Sequence, residues 1–496
     1  MAVLAAVDLG AQSGRVALGR FDGDRLTVAE VHRFANEPVR VEGVLHWDVH
    51  RLYEDVLGGL RAARRQGKID SLAVDSWGVD FGLLDRAGEL VRNPVHYRDE
   101  RRANAVQSVY SRIPPRELYE RTGIQLMPIN TVFELAAMTD RRDPALDRAE
   151  TLLLIPDLFH HWLCGSRTSE YTNATTTQCV DARTGGWATD LLERLDVPPR
   201  LLPEIVAPGT RLGPLVAHAA AATGIDSATV VAVGTHDTAS AVAAIPLRGP
   251  RSVYLSIGTW SLVGRETDEA LIDDKTFAAN LTNEGGVAGT VRLLRNVTGL
   301  WLLHECRRTW ALEGSKHSFD ELIALAESSP PLRSFIDPDD ASFASPGDMP
   351  GRIGESCART GQSQPRDPGA VVRCVLESLA LKHAQVIRTV GRVTGQEPAE
   401  LHVVGGGVRN ELLCDWTAQA AGLPVLAGPE EATLFGNLLV QAMALGEISS
   451  LAQAREVVKR SVTPTTYEPA DTPEWREAHA RFAQLTEARS ELEVSA

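Results

Sequence analysis

The 496-residue sequence contains no C-x-x-C pair, no set of Cys and His residues spaced to make a four-ligand zinc site, and no compact Lys/Arg block. The first two absences exclude a zinc or dithiol framework. Cys164, Cys179, Cys306, Cys357, Cys374 and Cys414 instead read as small buried hydrophobes of a reduced, cytoplasmic chain. The third absence, with a formal net charge of -15, sets the surface against a polyanionic backbone, so nucleic acid is not expected as a partner. Met1–Val7 is apolar but lacks a basic leader and meets Asp8 at once. It reads as a buried strand, neither a signal peptide nor a membrane span.

Hydrophobic residues make up 44% and charged residues 23%, the balance of a globular enzyme. The chain exceeds the length at which one core stops growing, so two domains with a cleft are expected. Ala2–Asp8, the turn Gly10–Gly14 and Val16–Phe21 predict strand, tight turn, strand, followed by a strand over 27–34. Leu52, Val56 and Leu60 then mark a helix over 48–65. Pro198, Pro199, Pro203 and Pro208 predict irregular connections. The first domain closes near Pro246, giving 1–246, 247–463 and a polar, loosely packed tail over 464–496. Strands over 252–256 and 260–263 around Gly258-Thr259 repeat the opening layout, a topological hint of duplication. Val372, Leu379 and Val386 mark one long helix, and Leu401–Leu445 completes an α/β unit.

Three glycine-bearing bends carry the chemistry. In Asp8-Leu9-Gly10-Ala11-Gln12-Ser13-Gly14-Arg15 an acid at a strand end precedes a turn whose backbone N–H groups can cradle phosphates, with Asp8 orienting water on a magnesium ion. A plain polar hairpin fits the octet equally well. Gly258-Thr259-Trp260-Ser261 is a second such bend. Gly405-Gly406-Gly407 lets a flat adenine lie against bare backbone at a helix start. Asp237, between a buried strand and a small-residue helix, is placed to take a proton from a hydroxyl attacking a γ-phosphate, or simply to cap that helix. Trp77 can stack on a sugar or sit in the core. Asn283 and Asn296 carry amides suited to reading hydroxyls, and Asn296 can also cap the helix after it.

Taken in order, Asp8–Arg15, Asp75–Phe81, Tyr171–Gln178, His236–Val242, Gly258–Leu262, Asn280–Gly286 and Val404–Gly407 resemble the FGGY carbohydrate kinases, from Leu4 to about Gly446. The resemblance implies the α/β, two-domain actin-like ATPase (ribonuclease H-like) fold, duplicated, with an interdomain cleft. It also implies transfer of the ATP γ-phosphoryl group to the 1-hydroxyl of L-rhamnulose, using Mg2+, in rhamnose breakdown. By motif, Ala11, Gln12, Ser13, Gly14, Arg15, Thr259, His304 and Gly406 hold ATP, while Gly78, His236, Thr238 and Asn296 contact the sugar. Asp237 is the proton acceptor, and Asp8 holds the metal through water. His304 stands where such enzymes often have Gln, and Gln12 where Ser is common. Cys357 and Cys374 align with a pair that can be disulfide-bonded in similar members. Another ketose, fuculose or xylulose, is the nearest rival substrate. A non-catalytic sensor would not need Asp237, and a chaperone-like ATPase would carry a peptide-binding β domain that is not recognisable here.

Overall fold

Strand-forming alternation and helix caps place the elements of this protein close to where the sequence sets them. The computed structural model describes residues 1–470 and 472–494. Asp48 caps the helix Val49–Arg64 by accepting from Arg51 N, and Leu52, Val56 and Leu60 face inward. Asp367 caps the long helix Pro368–Thr394, which ends at Gly395 in the left-handed region. Val372, Leu379 and Val386 all lie on its buried side.

The chain divides into two compact, interleaved units: Met1–Pro246 with Glu266–Leu293 and Glu431–Thr463, and Leu247–Arg265 with Leu294–Glu430 and Pro464–Ala496. The contiguous split at Pro246 expected from the sequence is thus a linear description. Two later segments, one carrying the helix Ala432–Leu445, return to the first unit. The segment expected to be a loose polar tail forms the helix Pro473–Val494, on which Ala478 and Phe482 are buried.

In the first unit six strands lie in the order Thr210–Pro214, Thr229–Ala232, Ser71–Ser76, Ala2–Leu9, Ser13–Phe21, Leu26–Ala35. Ala2–Leu9 runs parallel to Ser71–Ser76, which runs parallel to Thr229–Ala232, and antiparallel pairs flank these three. The second sheet has the order Thr282–Gly285, Val291–Thr298, Trp260–Thr267, Ser252–Ile257, Glu400–Val404, Val425–Ala427, Thr465–Tyr467. From Val291–Thr298 onward it follows the plan of the first: a hairpin, two strands parallel to its inner member, and an antiparallel edge. The edge strand precedes its neighbour in the first sheet and follows it in the second, a difference of connection within one design. Between residues 198 and 208 only a short 3-10 turn and the two-residue strand Ile205–Val206 form, as the prolines require.

Candidate active site

The parallel core of the first sheet ends on three carboxylates. Asp8 and Asp75 are register partners at the ends of adjacent strands. The third strand leads into Thr235 and His236, which bridges to Ser76, and then Asp237. The carboxyl ends of parallel strands are where α/β sheets gather ligands.

Asp237 is the first residue of the helix Asp237–Ala243, whose N-cap is His236, so the capping alternative for Asp237 falls away. Its side chain keeps 30% exposure. Thr238 Oγ1 donates to its Oδ1 at 3.0 Å, and His236 Nε2 lies 3.6 Å from the same oxygen. Withdrawal from water raises the Asp237 pKa above the ordinary carboxylate value; Asp8 adds to the rise, while His236 and Thr238 oppose it. Asp75, fully buried, is pushed well above that value by burial and by its neighbours Asp8 and Asp237, against the hydrogen bond from Asn437. Asn437 Nδ2 donates to Asp75 Oδ2 at 2.5 Å, while Asp75 Oδ1 has no hydrogen-bond partner.

The loop at Gly10–Gly14 closes through Gly10 N donating to Ser13 O, and Asn36 ties it from outside through Gln12 O and Gly10 O. Gly14 is required because a Cβ there would come within 2.2 Å of the Phe34 ring. Ala11 and Ser13 are half-buried and Gln12 is exposed. Arg15, expected as a phosphate donor, instead turns its guanidinium to Asp8, with Nε 2.8 Å from Oδ2, and to Glu431. Among the described residues no three His, Cys, Asp or Glu side chains are set to ligate an ion directly. Asp8 and the orphaned Oδ1 of Asp75 suit a hydrated dication held through water.

Glu170 holds the loops around Asp237 in place. Its buried carboxylate accepts from Thr172 N and Oγ1, Asn173 N, and Thr235 N and Oγ1, at 2.5 to 3.3 Å. Thr172 Oγ1 in turn accepts from His236 N at 3.2 Å. Gly78 packs where a Cβ would meet Thr176 at 2.8 Å, and Val79 N donates to Thr176 Oγ1.

Trp77 takes its core reading: it is buried against Trp47, and both indoles donate to Asp80 Oδ2, at 3.0 and 2.6 Å. Asp80 also accepts from Arg102. Asn283 is likewise spent on structure, accepting from Leu271 N and donating to Gly123 O and Leu271 O.

In the second unit the bend at Gly258-Thr259 is held by Gly299 and Trp301 N–H groups donating to Thr259 O, and by Leu300 N donating to Gly258 O. Gly405 adopts φ 85°, and a Cβ on Gly407 would strike Ile257 at 2.2 Å. Gly406 between them is exposed, with nothing within 4 Å of a Cβ, a bare face suited to a flat ring. His304 packs edge-on to Phe319, and burial pushes its pKa down to about 4. Asn296 lies within the strand Val291–Thr298, and the N-cap of the following helix is Leu300, so Asn296 does not cap it. Cys357 and Cys374 are free thiols with Sγ atoms 4.0 Å apart.

Models of the N-terminal and C-terminal domains of the FGGY family of carbohydrate kinases match residues 3–244 and 253–445. The chain belongs to the FGGY family. It is an ATP-dependent sugar kinase. A rhamnulokinase of Bacteroides thetaiotaomicron is 43% identical over 478 residues, 96% of this chain and 98% of the relative. One from Pectobacterium carotovorum is 39% identical over 487 residues, 98% of this chain and 96% of that one. The fold is that of solved sugar kinases. The gluconate kinase of Lactobacillus acidophilus gives a TM-score of 0.80 at 18% identity, covering 99% of this chain and 98% of that one. The ligand-bound xylulose kinase of the same organism gives 0.80 at 18%, covering 100% and 99%.

Within this FGGY kinase, the first unit brings together Asp8, Arg15, His236, Asp237 and Thr238, and the second carries Thr259, Asn296, His304 and Gly406. Asp75, Glu170, Arg292 and Asn437 were missed as site residues. Asp75 stood within a recognised block, whereas the others act through partners far along the chain.

Proposed function

We propose that the protein transfers the γ-phosphoryl group of ATP to the 1-hydroxyl of L-rhamnulose, giving L-rhamnulose 1-phosphate in L-rhamnose degradation. The C1 oxygen attacks the γ-phosphorus, the bond to the β-phosphate oxygen breaks, ADP leaves, and the hydroxyl proton passes to Asp237. The observation that carries this reading is Asp237 itself: a part-exposed carboxylate on the first turn of its helix, free of capping duty and held by Thr238. Burial and Asp8 raise its pKa, which makes it a better proton acceptor than an ordinary carboxylate.

Gly78, His236, Thr238 and Asn296 hold the sugar. Ala11–Arg15, Thr259, His304 and Gly406 hold ATP, with the Arg15 guanidinium shared with Asp8 and Glu431. Asp8 would hold Mg2+ through water, and the ion, when bound, would neutralise charge on the transferred group. The full-length identity to two rhamnulokinases supports L-rhamnulose over other ketoses. Six unbonded cysteines support a reduced, cytoplasmic setting, and the net charge of -15 speaks against nucleic acid.

A coupled ADP-release assay over L-rhamnulose, L-fuculose and D-xylulose tests the reading. The expected result is the highest kcat/KM on L-rhamnulose. Preference for another ketose would move the substrate, and ADP release with none would remove the enzymatic role.

A further inference from the structure

We propose that Arg292 is a positioning residue that fixes the tautomer of His236, so that the imidazole presents its N–H to Asp237 and to the sugar. The inference rests on the sugar-kinase reading of the same site. Arg292 is fully buried on the strand Val291–Thr298. Its Nε donates to Gly285 O at 2.9 Å, one terminal nitrogen lies 3.0 Å from His236 Nδ1 and 3.1 Å from Glu284 Oε2, and the other has no hydrogen-bond partner.

A guanidinium donates and never accepts. The Nδ1 atom it faces must therefore present a lone pair, because two N–H groups cannot meet head-on at 3.0 Å. Glu284 Oε2, 3.3 Å from the same Nδ1, balances the guanidinium charge rather than taking a ring proton. The proton then sits on Nε2, 3.6 Å from Asp237 Oδ1. The backbone of His236 is fixed separately, through its N donating to Thr172 Oγ1 and through the bridge to Ser76. The groups facing the ring are thus Arg292, Glu284 and Asp237. With this tautomer His236 steadies the charged Asp237 before proton transfer and offers an N–H to an acceptor oxygen of the ketose, a carbonyl or hydroxyl. The other tautomer would present a bare lone pair to the Asp237 carboxylate.

The test is a nitrogen NMR spectrum of the full chain labelled at its 13 histidines, with the His236 signals assigned by their loss in His236→Gln. The expected result is protonation of His236 at Nε2 only. A proton on Nδ1, in whole or in part, overturns the proposal, and because this reads the wild-type protein it requires no folded variant at Arg292. As a second arm, Arg292→Lys should keep the Nε2 proton, whereas Arg292→Met should move it toward Nδ1 and Glu284. The Met variant should also lower kcat/KM for the sugar by about 10- to 100-fold, the usual loss on removing an orienting partner. An unmoved proton in a folded Arg292→Met protein also refutes the assignment. Absence of kinase activity in the wild type would count against the functional reading while leaving the tautomer result to stand or fall alone.

Discussion

At His383 both ring nitrogens lack a hydrogen-bond partner inside the helix Pro368–Thr394, and burial pushes the pKa down to about 3 from an ordinary 6.5. His160 is depressed to about 3 in the same way. Between those values the unfolded chain binds a proton that the folded chain refuses. Stability is therefore full above 6.5 and falls as pH drops below it, by about 1.4 kcal/mol per pH unit for each such group. His383→Leu removes one of them along with two unsatisfied polar atoms. The denaturation midpoint should rise in the variant, and rise more at pH 5 than at pH 7.5; an equal shift at both would contradict the neutral, buried imidazole. At Asp237 the sign is set by the raised pKa. As pH falls through that value the base gains a proton, so the acid limb of kcat/KM should lie above the ordinary carboxylate range. Asp8→Asn removes one of the charges that raise it and should move the limb of the residual activity downward.

Two helices of the first unit show how an element sets the site. Asp237–Ala243 packs on Ala432–Leu445 so closely that a Cβ on Gly436 would fall 1.7 Å from Ser240 O. Gly436→Ala must push the two helices apart and displace Asp237 with them. The expected cost is about 3 kcal/mol or more in stability, at the upper end of overpacking losses, together with lost activity; a midpoint of thermal unfolding equal to wild type would contradict this packing. Further along the same helix, Asn437 and Gln441 join it to Asp75, Ser71 and Ala5 O by hydrogen bonds. Glu170 acts between loops. Glu170→Gln brings an amide N–H group to face donors on Thr172, Asn173 and Thr235, and should cost about 2 to 4 kcal/mol in a denaturant titration. The α/β unit that ends at Leu445 was legible from its pattern, and the strand end at Asp8 and the strand-to-helix junction at Asp237 from their punctuation. Glu170 was not, because its partners at Thr235 lie 65 positions away and no local pattern encodes that pairing. For Trp77 the sequence allowed a sugar-stacking or a core role, and the fold selects the core, where Trp47 and Asp80 claim the indole.

At the scale of the whole molecule, the chain passes between the two units after residues 246, 265, 293, 430 and 463. The hairpin in each half was readable, since it follows from alternation and turns, whereas the parallel strands beside it are set by pairings distant in sequence. The return of Glu431–Thr463 to the first unit was not, because an apolar helix does not say which sheet it will cover. A fragment of residues 1–246 lacks Asn437 and Gln441 against its central strands and should fail to hold fixed tertiary structure. Co-expression with 247–496 should restore it, and a fragment with native-like near-ultraviolet dichroism by itself would contradict the interleaved core. The most direct measurement is Asp237→Asn, with sugar and ATP binding followed by calorimetry and transfer by ADP release. Binding is expected within a few-fold of wild type and turnover lower on the order of 10²- to 10⁴-fold. Turnover near the wild-type rate would contradict the role of Asp237 as proton acceptor.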